Sequence, residues 1–274
     1  MMRRFAIGNA EAGGPRLLIV AGPCVVESAE LCLAVAAKLQ RACAARRLPF
    51  VFKASYKKAN RSSGTSFTGQ PMDEALAILA RVKRELGVPV LTDIHEAAEV
   101  AAAAEVADVL QIPAFLCRQT ALLEAAARTG RAVNVKKGQF LPPADMLNVV
   151  AKLVAAGGER ILLTERGASF GYGDLVVDMR SLVIMRELGW PVLYDATHSL
   201  QRPGGAETGG DRRFAFPLLR AAVACGVDGV FFEAHPDPAH ALSDAATQLP
   251  LETASAFLDE ALRVHEALRE SRRA

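Results

Sequence analysis

The sequence predicts an α/β protein of the (β/α)8-barrel class, a closed ring of parallel strands that are each followed by a helix. Short apolar runs rich in β-branched residues alternate with helix-length segments along all 274 residues, and no low-complexity linker interrupts them. About eight such units fit this length, which is typical of one barrel. No glycine-rich G-x-G-x-x-G turn follows the first strand, which disfavours an open doubly wound sheet. We therefore expect residues 1–274 to form a single TIM-barrel domain.

Eight apolar runs are the predicted strands, and each has the length and punctuation of a buried parallel strand. In chain order they span residues 17–21, 50–54, 89–93, 109–113, 132–136, 161–164, 192–195 and 229–233. Two of the intervening helices end in similar punctuation, Gly87-Val88-Pro89 and Gly189-Trp190-Pro191, where Gly stops the helix and Pro opens the next strand.

The first helix and the N-terminus carry more detailed predictions. A helix is expected over residues 27–46, because apolar residues recur there at helical spacing along one face. That predicted face consists of Leu31, Ala34, Val35, Leu39 and Ala42. Within residues 1–15, a Gly8-Asn9 turn signal follows Phe5-Ala6-Ile7, which predicts a short hairpin that closes the N-terminal mouth of the barrel.

Composition limits the class of protein and its partners. Hydrophobic residues make up 51% of the chain, and 32 Lys plus Arg against 30 Asp plus Glu leave a net charge of +2. No basic run is interleaved with aromatic residues, so nucleic acid is not an expected partner. No apolar stretch reaches membrane-spanning length, so we expect a cytoplasmic protein with no membrane partner. Five irregularly spaced cysteines argue against a disulfide framework, and Cys32, Cys43 and Cys225 are expected to be packing residues.

Reactive side chains cluster at the predicted carboxyl ends of strands, which is where the chemistry of barrels takes place. Cys24 follows the first strand, His198 follows the seventh, and Glu233 ends the eighth with Asp244 in the loop beyond it. Because the eighth strand pairs with the first in a closed barrel, these residues are expected on one part of the rim. A thiolate, an imidazole and two carboxylates suit zinc, iron(II) or manganese(II). The alternative is that Cys24 is a small buried apolar residue and that His198 is a core histidine.

A second set of predicted rim residues is cationic. Its members are Lys53, Lys58, Arg61, Arg118, Lys136 and Arg166. Lys136 is the informative one, because a charge that ends an apolar strand points into the barrel mouth, where a buried cation needs an anionic partner. Arg binds phosphate through a planar fork and Lys as a point charge, so the set could hold two phosphorylated ligands. Polar neighbours that could fix sugar hydroxyls are Asn60, Ser62, Ser63, Gln111 and Asp93.

Several of these segments together resemble one enzyme family, 3-deoxy-D-manno-octulosonate 8-phosphate synthase, also called 2-dehydro-3-deoxyphosphooctonate aldolase. The matching segments span residues 21–24, 52–55, 58–63, 111–120, 134–139, 163–167, 194–199 and 241–245. The resemblance implies that phosphoenolpyruvate condenses with D-arabinose 5-phosphate and water, giving 3-deoxy-D-manno-octulosonate 8-phosphate and phosphate, in lipopolysaccharide biosynthesis. The family has a metal-dependent branch with Cys at the position of Cys24 and a metal-free branch with Asn. The resemblance therefore implies one divalent transition metal per subunit.

The same resemblance assigns roles to individual residues. Phosphoenolpyruvate would be held by Lys53, Gln111, Lys136 and Arg166, and the pentose phosphate by Asn60, Arg61 and Ser62. Lys58 and Ala114 are further expected substrate-binding residues. The family's counterpart of Arg118 reaches the pentose phosphate from an adjacent subunit, so a homotetramer is expected. His198, Lys136 and Asp93 are the expected catalytic residues. Residues 199–216, rich in Gly and Arg, are a candidate lid.

The sequence differs from the family pattern at one position, and three other functions are alternatives to the predicted one. Lys57 occupies a position where the family is expected to have an acidic residue. The nearest rival is the related seven-carbon synthase acting on erythrose 4-phosphate, a DAHP-type enzyme. The others are a Schiff-base aldolase that uses Lys136 and a non-catalytic barrel that binds a sugar phosphate. His95 and His235 follow strands, where we expect structural roles, with support of a metal ligand as the alternative.

Overall fold

The structure is a computed structural model that describes residues 2–59, 67–170, 173–204 and 208–271. Eight parallel strands form the barrel. They are β1 (Leu18–Gly22), β2 (Phe50–Lys53), β3 (Val90–Asp93), β4 (Val109–Ile112), β5 (Ala132–Lys136), β6 (Ile161–Glu165), β7 (Val192–Asp195) and β8 (Gly229–His235). The helices are α1 (Ala29–Ala45), α2 (Met72–Leu86), α3 (Val100–Val106), α4 (Thr120–Arg128), α5 (Met146–Ala155), α6 (Met179–Arg186), α7 (Ala215–Ala224) and α8 (Ala254–Ser271).

The strands pair in chain order, and the ring closes where β8 pairs with both β7 and β1. At the closing seam Phe231 lies opposite Val20, and Glu233 lies opposite Gly22. This confirms the predicted closed (β/α)8 barrel. The strand bounds agree with the prediction to within one residue, except that β8 continues two residues further to His235, where a short strand (Leu249–Pro250) extends its pairing.

Helix α1 begins where its capping chemistry dictates, and its buried face differs from the prediction. The Ser28 side chain accepts a hydrogen bond from the backbone N–H of Leu31, so the helix starts at Ala29. Val35 and Leu39 are buried as expected, but Ala34 is exposed and Leu31 is only half-buried. Cys32, Ala36 and Cys43 take their places in the core. The helix is apolar on most of its circumference, so spacing alone could not fix which stripe faces the sheet.

The N-terminal hairpin closes the lower end of the barrel, as predicted. Its strands, Phe5–Ile7 and Ala10–Ala12, pair antiparallel across a turn in which Gly8 has a φ of +57°. Ile7 and Ala12 pack against a layer of inward-facing apolar side chains. That lower layer consists of Leu18, Val20, Val51, Leu91, Val109, Ala132, Leu162, Leu193 and Phe231.

The opposite end of the barrel interior is polar. Side chains of an upper layer, two residues further along the same strands (four for Lys136), are buried yet charged or hydrogen-bonding. They are Lys53, Asp93, Gln111, Asn134, Lys136, Thr164, Asp195 and Glu233. Because side chains on a strand alternate between two faces, each of these points into the barrel above the lower layer. In the described part of the chain, no helix is both long and apolar enough to cross a membrane.

Candidate active site

A cavity of about 760 Å³ opens at the carboxyl ends of the barrel strands. Most of the predicted site residues line it. They are Lys53, Lys58, Asp93, Gln111, Ala114, Lys136, Arg166, His198 and Asp244. Arg118 is different, because it is exposed and does not line the cavity of its own chain. Asn60, Arg61 and Ser62 lie outside the described residues.

The four predicted metal ligands converge on one small space. Ligand atoms of Cys24, Glu233 and Asp244 all lie within 4.8 Å of one another. Cys24 Sγ is 3.1 Å from Asp244 Oδ2. His198 Nε2 lies 3.6 Å from Glu233 Oε1 and 3.7 Å from Asp244 Oδ2. A thiol, an imidazole nitrogen and two carboxylates therefore face one another, as the topology of the strands predicts.

His198 is oriented by a carboxylate that our sequence-based site did not include. Asp195 Oδ2 accepts a hydrogen bond from His198 Nδ1 at 2.8 Å and another from Lys136 Nζ at 2.6 Å. Asp195 Oδ1 also accepts from the backbone N–H of His198 at 2.9 Å. In a neutral ring whose proton is on Nδ1, the lone pair of Nε2 would face Glu233 and Asp244.

The cluster has the chemistry of a site built for a cation. Glu233 Oε2 is buried and has no hydrogen-bond partner within the described residues. Burial, then the charges of Asp244 and Glu233, raise the pKa of the Cys24 thiol. Without a cation the thiol stays protonated between two carboxylates, whereas a divalent metal would stabilise the thiolate. Cys24, His198, Glu233 and Asp244 thus fit a soft or borderline divalent metal.

Two lysines connect the metal cluster to the cavity. Lys53 Nζ donates to the carbonyl of Cys24 at 3.0 Å and forms a buried ion pair with Glu233. Its backbone passes close to Gly22, where a Cβ would stand 2.0 Å from the Lys53 carbonyl oxygen, so only glycine fits there. Lys58 Nζ donates to Ser55 Oγ at 2.9 Å. Burial opposes the charge of Lys58, but Cys24, Glu233 and other acidic groups outweigh it and raise its pKa.

Lys136 and Arg166 are the cations best placed for an incoming anion. The Nζ atom of Lys136 lies 3.1 Å from the centroid of the Phe231 ring. Burial lowers the pKa of Lys136 to about 8, although Asp195 opposes the shift. Arg166 Nη2 donates to Gln201 Oε1 at 2.6 Å, whereas buried Nη1 has no partner in the described ranges. A buried guanidinium with an unused donor is stabilised by binding an anion.

Asp93 anchors a hydrogen-bonded chain across the upper layer. Its two oxygens accept from Ser55 Oγ and Gln111 Nε2. Gln111 in turn accepts from Asn134, and Asn134 accepts from Thr164. Burial opposes ionisation of Asp93, but Lys53 and Lys58 prevail and lower its pKa. Asp93 is therefore a permanent negative charge, which suits orienting neighbours better than taking up a proton at neutral pH.

Comparison with known proteins places this geometry in a family. A sequence model of the DAHP synthetase I family matches residues 5–270. The chain belongs to that family. Three relatives named 2-dehydro-3-deoxyphosphooctonate aldolase are similar to it over most of their length. They come from Trichlorobacter lovleyi (57% identical over 261 residues, 94% of this chain and 96% of the relative), Koribacter versatilis (53% over 273 residues, 98% of each) and Acidithiobacillus ferrooxidans (58% over 235 residues, 85% and 84%). These relatives confirm the resemblance drawn from the sequence segments.

In this member of the DAHP synthetase I family, Lys57 has a partner. Its Nζ lies 3.6 Å from Glu99 Oε1, on the loop that follows β3. Glu99 also accepts from the backbone N–H of His95 at 2.8 Å, and His95 Nδ1 lies 3.4 Å from the Tyr56 hydroxyl. The lysine that departs from the expected pattern thus ties the loop after β2 to the loop after β3.

Other residues at the site were missed or only partly described by sequence reasoning. Gln139 and Gln201 line the cavity, and buried Gln139 Oε1 has no partner among the described residues. Gln139 lies in a segment that carried the resemblance, so that signal could have found it. The candidate lid includes a small antiparallel pair, Gln201–Arg202 with Gly209–Gly210, beside the cavity-lining Pro203 and Thr208. Residues 205–207 lie outside the described ranges.

Proposed function

We propose that this protein condenses phosphoenolpyruvate with D-arabinose 5-phosphate and water to give 3-deoxy-D-manno-octulosonate 8-phosphate and inorganic phosphate, for lipopolysaccharide biosynthesis. The observation that carries this proposal is the buried Arg166, whose Nη1 has no protein partner in the described ranges, in a cavity shared with Lys53, Lys58 and Lys136. Such a concentration of buried cations calls for strongly anionic ligands. The relatives' name, 2-dehydro-3-deoxyphosphooctonate aldolase, supplies the reaction.

Phosphoenolpyruvate would occupy the inner part of the cavity. Lys136 and Arg166 would bind its phosphate, and Lys53 would bind its carboxylate beside Gln111 and Ala114. As carbon 3 attacks the sugar aldehyde, positive charge develops at carbon 2, water adds there, and phosphate leaves by cleavage of the carbon–oxygen bond. Buried cations fixed by Asp195 and Gln201 need no reorganisation to offset the charge of the leaving phosphate.

The pentose phosphate would lie above phosphoenolpyruvate, toward the cavity entrance. Lys58, Asn60, Arg61 and Ser62 are its proposed ligands in the same chain, and Lys58 is the one that the structure describes, lining the cavity. Asp93 completes the proposed catalytic set as a fixed negative charge that orients Gln111 and Ser55.

A divalent transition metal would be held by Cys24, His198, Glu233 and Asp244. When bound, it would supply Lewis-acid polarisation of an oxygen of the sugar or of water. Zinc, iron(II) and manganese(II) all suit this mixed set of ligands. His198 belongs to both the metal set and the catalytic set, because it borders the cavity and shares Asp195 with Lys136.

A homotetramer is the proposed assembly. Arg118 is exposed and does not line its own cavity, and Phe115, Phe140 and Phe170 are more than half exposed on neighbouring loops. Exposed aromatic side chains around a lone arginine are typical of an interface. A second subunit seated there would receive Arg118 at its pentose phosphate. The cytoplasmic location stays a prediction from composition.

The decisive experiment measures phosphate release from phosphoenolpyruvate with arabinose 5-phosphate and, separately, with erythrose 4-phosphate. We expect turnover with the pentose phosphate and little with the tetrose phosphate. Preference for erythrose 4-phosphate would make the protein a seven-carbon synthase, whose name the matching family carries. Absence of phosphate release with both sugars, in metal-loaded protein, would favour a non-catalytic barrel. Borohydride trapping with substrate should leave Lys136 unlabelled, since labelling would indicate a Schiff base.

A further inference from the structure

Two loops supply two of the proposed metal ligands, and these loops must keep a fixed position relative to each other. Cys24 follows β1, and Asp244 lies in the loop that follows β8. Asp244 has a φ of +49°, in the left-handed region, which is uncommon for residues other than glycine although Asp adopts it more often than most. Such a conformation persists only where surrounding contacts enforce it. The contacts that fasten the β8 loop therefore also determine where the Asp244 carboxylate points.

Glu27 reaches across from the first loop to the second. It lies three residues after Cys24, and its Oε1 accepts a hydrogen bond from the backbone N–H of Leu242 at 3.1 Å. Leu242 stands two residues before Asp244. The Glu27 side chain is only 12% exposed, whereas Leu242 lies at the surface. A single carboxylate thus connects the segment that carries Cys24 to the segment that carries Asp244.

His235, at the end of β8, points its ring at the same carboxylate. Its Nδ1 accepts from the backbone N–H of Asp237 at 3.0 Å, so the proton of the neutral ring sits on Nε2. Nε2 is buried, has no hydrogen-bond partner within the described ranges, and lies 3.6 Å from Glu27 Oε1. A buried donor left unpaired is unfavourable, so His235 and Glu27 attract each other.

We propose that Glu27 and His235 form a latch that holds the β8 loop in the conformation in which Asp244 faces Cys24. This inference rests on the proposed metal site and assigns the pair a positioning role, since neither residue lines the cavity. A second connection lies deeper. Gln248 accepts from the backbone N–H of Cys24 at 3.1 Å and donates to the carbonyl of Ser243 at 2.7 Å. The latch supplements it on the outer side of the same loop.

The test uses cobalt(II) as the probe, because a cobalt–thiolate bond gives a charge-transfer band that reports on Cys24 without any substrate. We expect Glu27→Ala to weaken cobalt binding about 10- to 100-fold, as removal of groups that support a ligand usually does. Glu27→Gln keeps an acceptor for Leu242 and should recover most of the affinity. His235→Ala should weaken binding less than Glu27→Ala. Glu30→Ala removes an exposed carboxylate from the first turn of α1 and serves as the matched control, with unchanged affinity.

Several outcomes would overturn the latch. One is a folded Glu27→Ala protein that binds cobalt as tightly as the unmodified protein. If Glu27→Ala does not fold, a folded His235→Ala protein that binds cobalt as tightly as the unmodified protein overturns the latch. A loss of thermal stability in these variants without a change in the charge-transfer band would indicate a purely structural pair, which also overturns it. Unmodified protein that binds cobalt but releases no phosphate would refute the proposed reaction and leave the latch standing.

Discussion

The lower and upper layers of the barrel interior are built by the same strands and differ completely in chemistry. On β2, β3 and β4, the apolar Val51, Leu91 and Val109 are each followed two residues later by Lys53, Asp93 or Gln111. The same change from apolar to polar occurs on β5 to β8. One step of two residues therefore separates the apolar side chains that fill the lower barrel from the buried polar side chains beneath the cavity.

The largest effect is expected in the upper layer, at Cys24. Cys24→Ala should lower metal-dependent turnover by on the order of 100-fold or more, because three remaining ligands hold a metal more loosely. Cys24→Asn should keep some turnover that chelators do not remove, since an amide can hydrogen-bond in about the same volume. Phosphate release with and without chelator measures both effects. Cys32→Ala removes another buried thiol, from α1, and should leave the response to chelators unchanged. Unmodified protein without metal and insensitive to chelators would show the metal assignment to be wrong.

A matched pair on β3 tests whether the layers can be separated. Leu91→Ala opens a cavity in the lower layer and should reduce the free energy of unfolding by about 2–5 kcal/mol while kcat changes little. Asp93→Asn, two residues further on, should lower kcat and change the free energy of unfolding much less. It removes a negative charge that interacts with Lys53 and Lys58, but it opens no cavity. Denaturant titration of both variants measures the free energy of unfolding, and steady-state kinetics measure kcat. Loss of activity in a well-folded Leu91→Ala protein would contradict the division into layers.

Arg118 belongs to neither layer, and a substitution there tests a residue outside the barrel interior. Arg118→Ala should raise the KM for arabinose 5-phosphate roughly tenfold and that for phosphoenolpyruvate much less, because one charge-assisted contact to one phosphate is lost. Arg128→Ala is a suitable control, since Arg128 is an exposed arginine that pairs with Glu124 on α4. Equal effects on both substrates would refute the assignment of Arg118 to the pentose phosphate.

The pH dependence of turnover is expected to reflect Lys136, an upper-layer residue that lies over the ring of the lower-layer residue Phe231. Burial lowers the pKa of Lys136 to about 8, so its ammonium form dominates below that pH and the neutral amine above it. The kcat/KM for phosphoenolpyruvate should therefore fall above about pH 8, by up to roughly tenfold per unit, and change little at neutral pH. Lys136→Arg keeps the charge and should remove this decline, even if its rate is lower. A flat profile to pH 9.5 in the unmodified protein would contradict the role of Lys136.

Sequence could predict what depends on strand order and alternation. The convergence of Cys24, His198, Glu233 and Asp244 follows from the closure of β8 on β1, and Lys136 follows from its place at a strand end. The buried face of α1 was partly wrong because Ala and Leu on several sides of that helix satisfy the same spacing. Asp195 and Glu27 were not assigned roles, and His235 was expected to be structural, with support of a metal ligand as the alternative. Glu27 meets His235 more than 200 residues away, through side-chain geometry that strand order does not determine.

The hairpin that closes the lower end of the barrel has a consequence for the order of folding. Ile7, Ala10 and Ala12 belong to one apolar cluster with side chains from all eight strands, so that cluster is complete only after the ring has closed. Contacts between segments this distant in sequence form slowly, because long stretches of chain must be ordered first. These residues precede every barrel strand in the chain, yet the surface that they cover is complete only when the eighth strand has joined the ring.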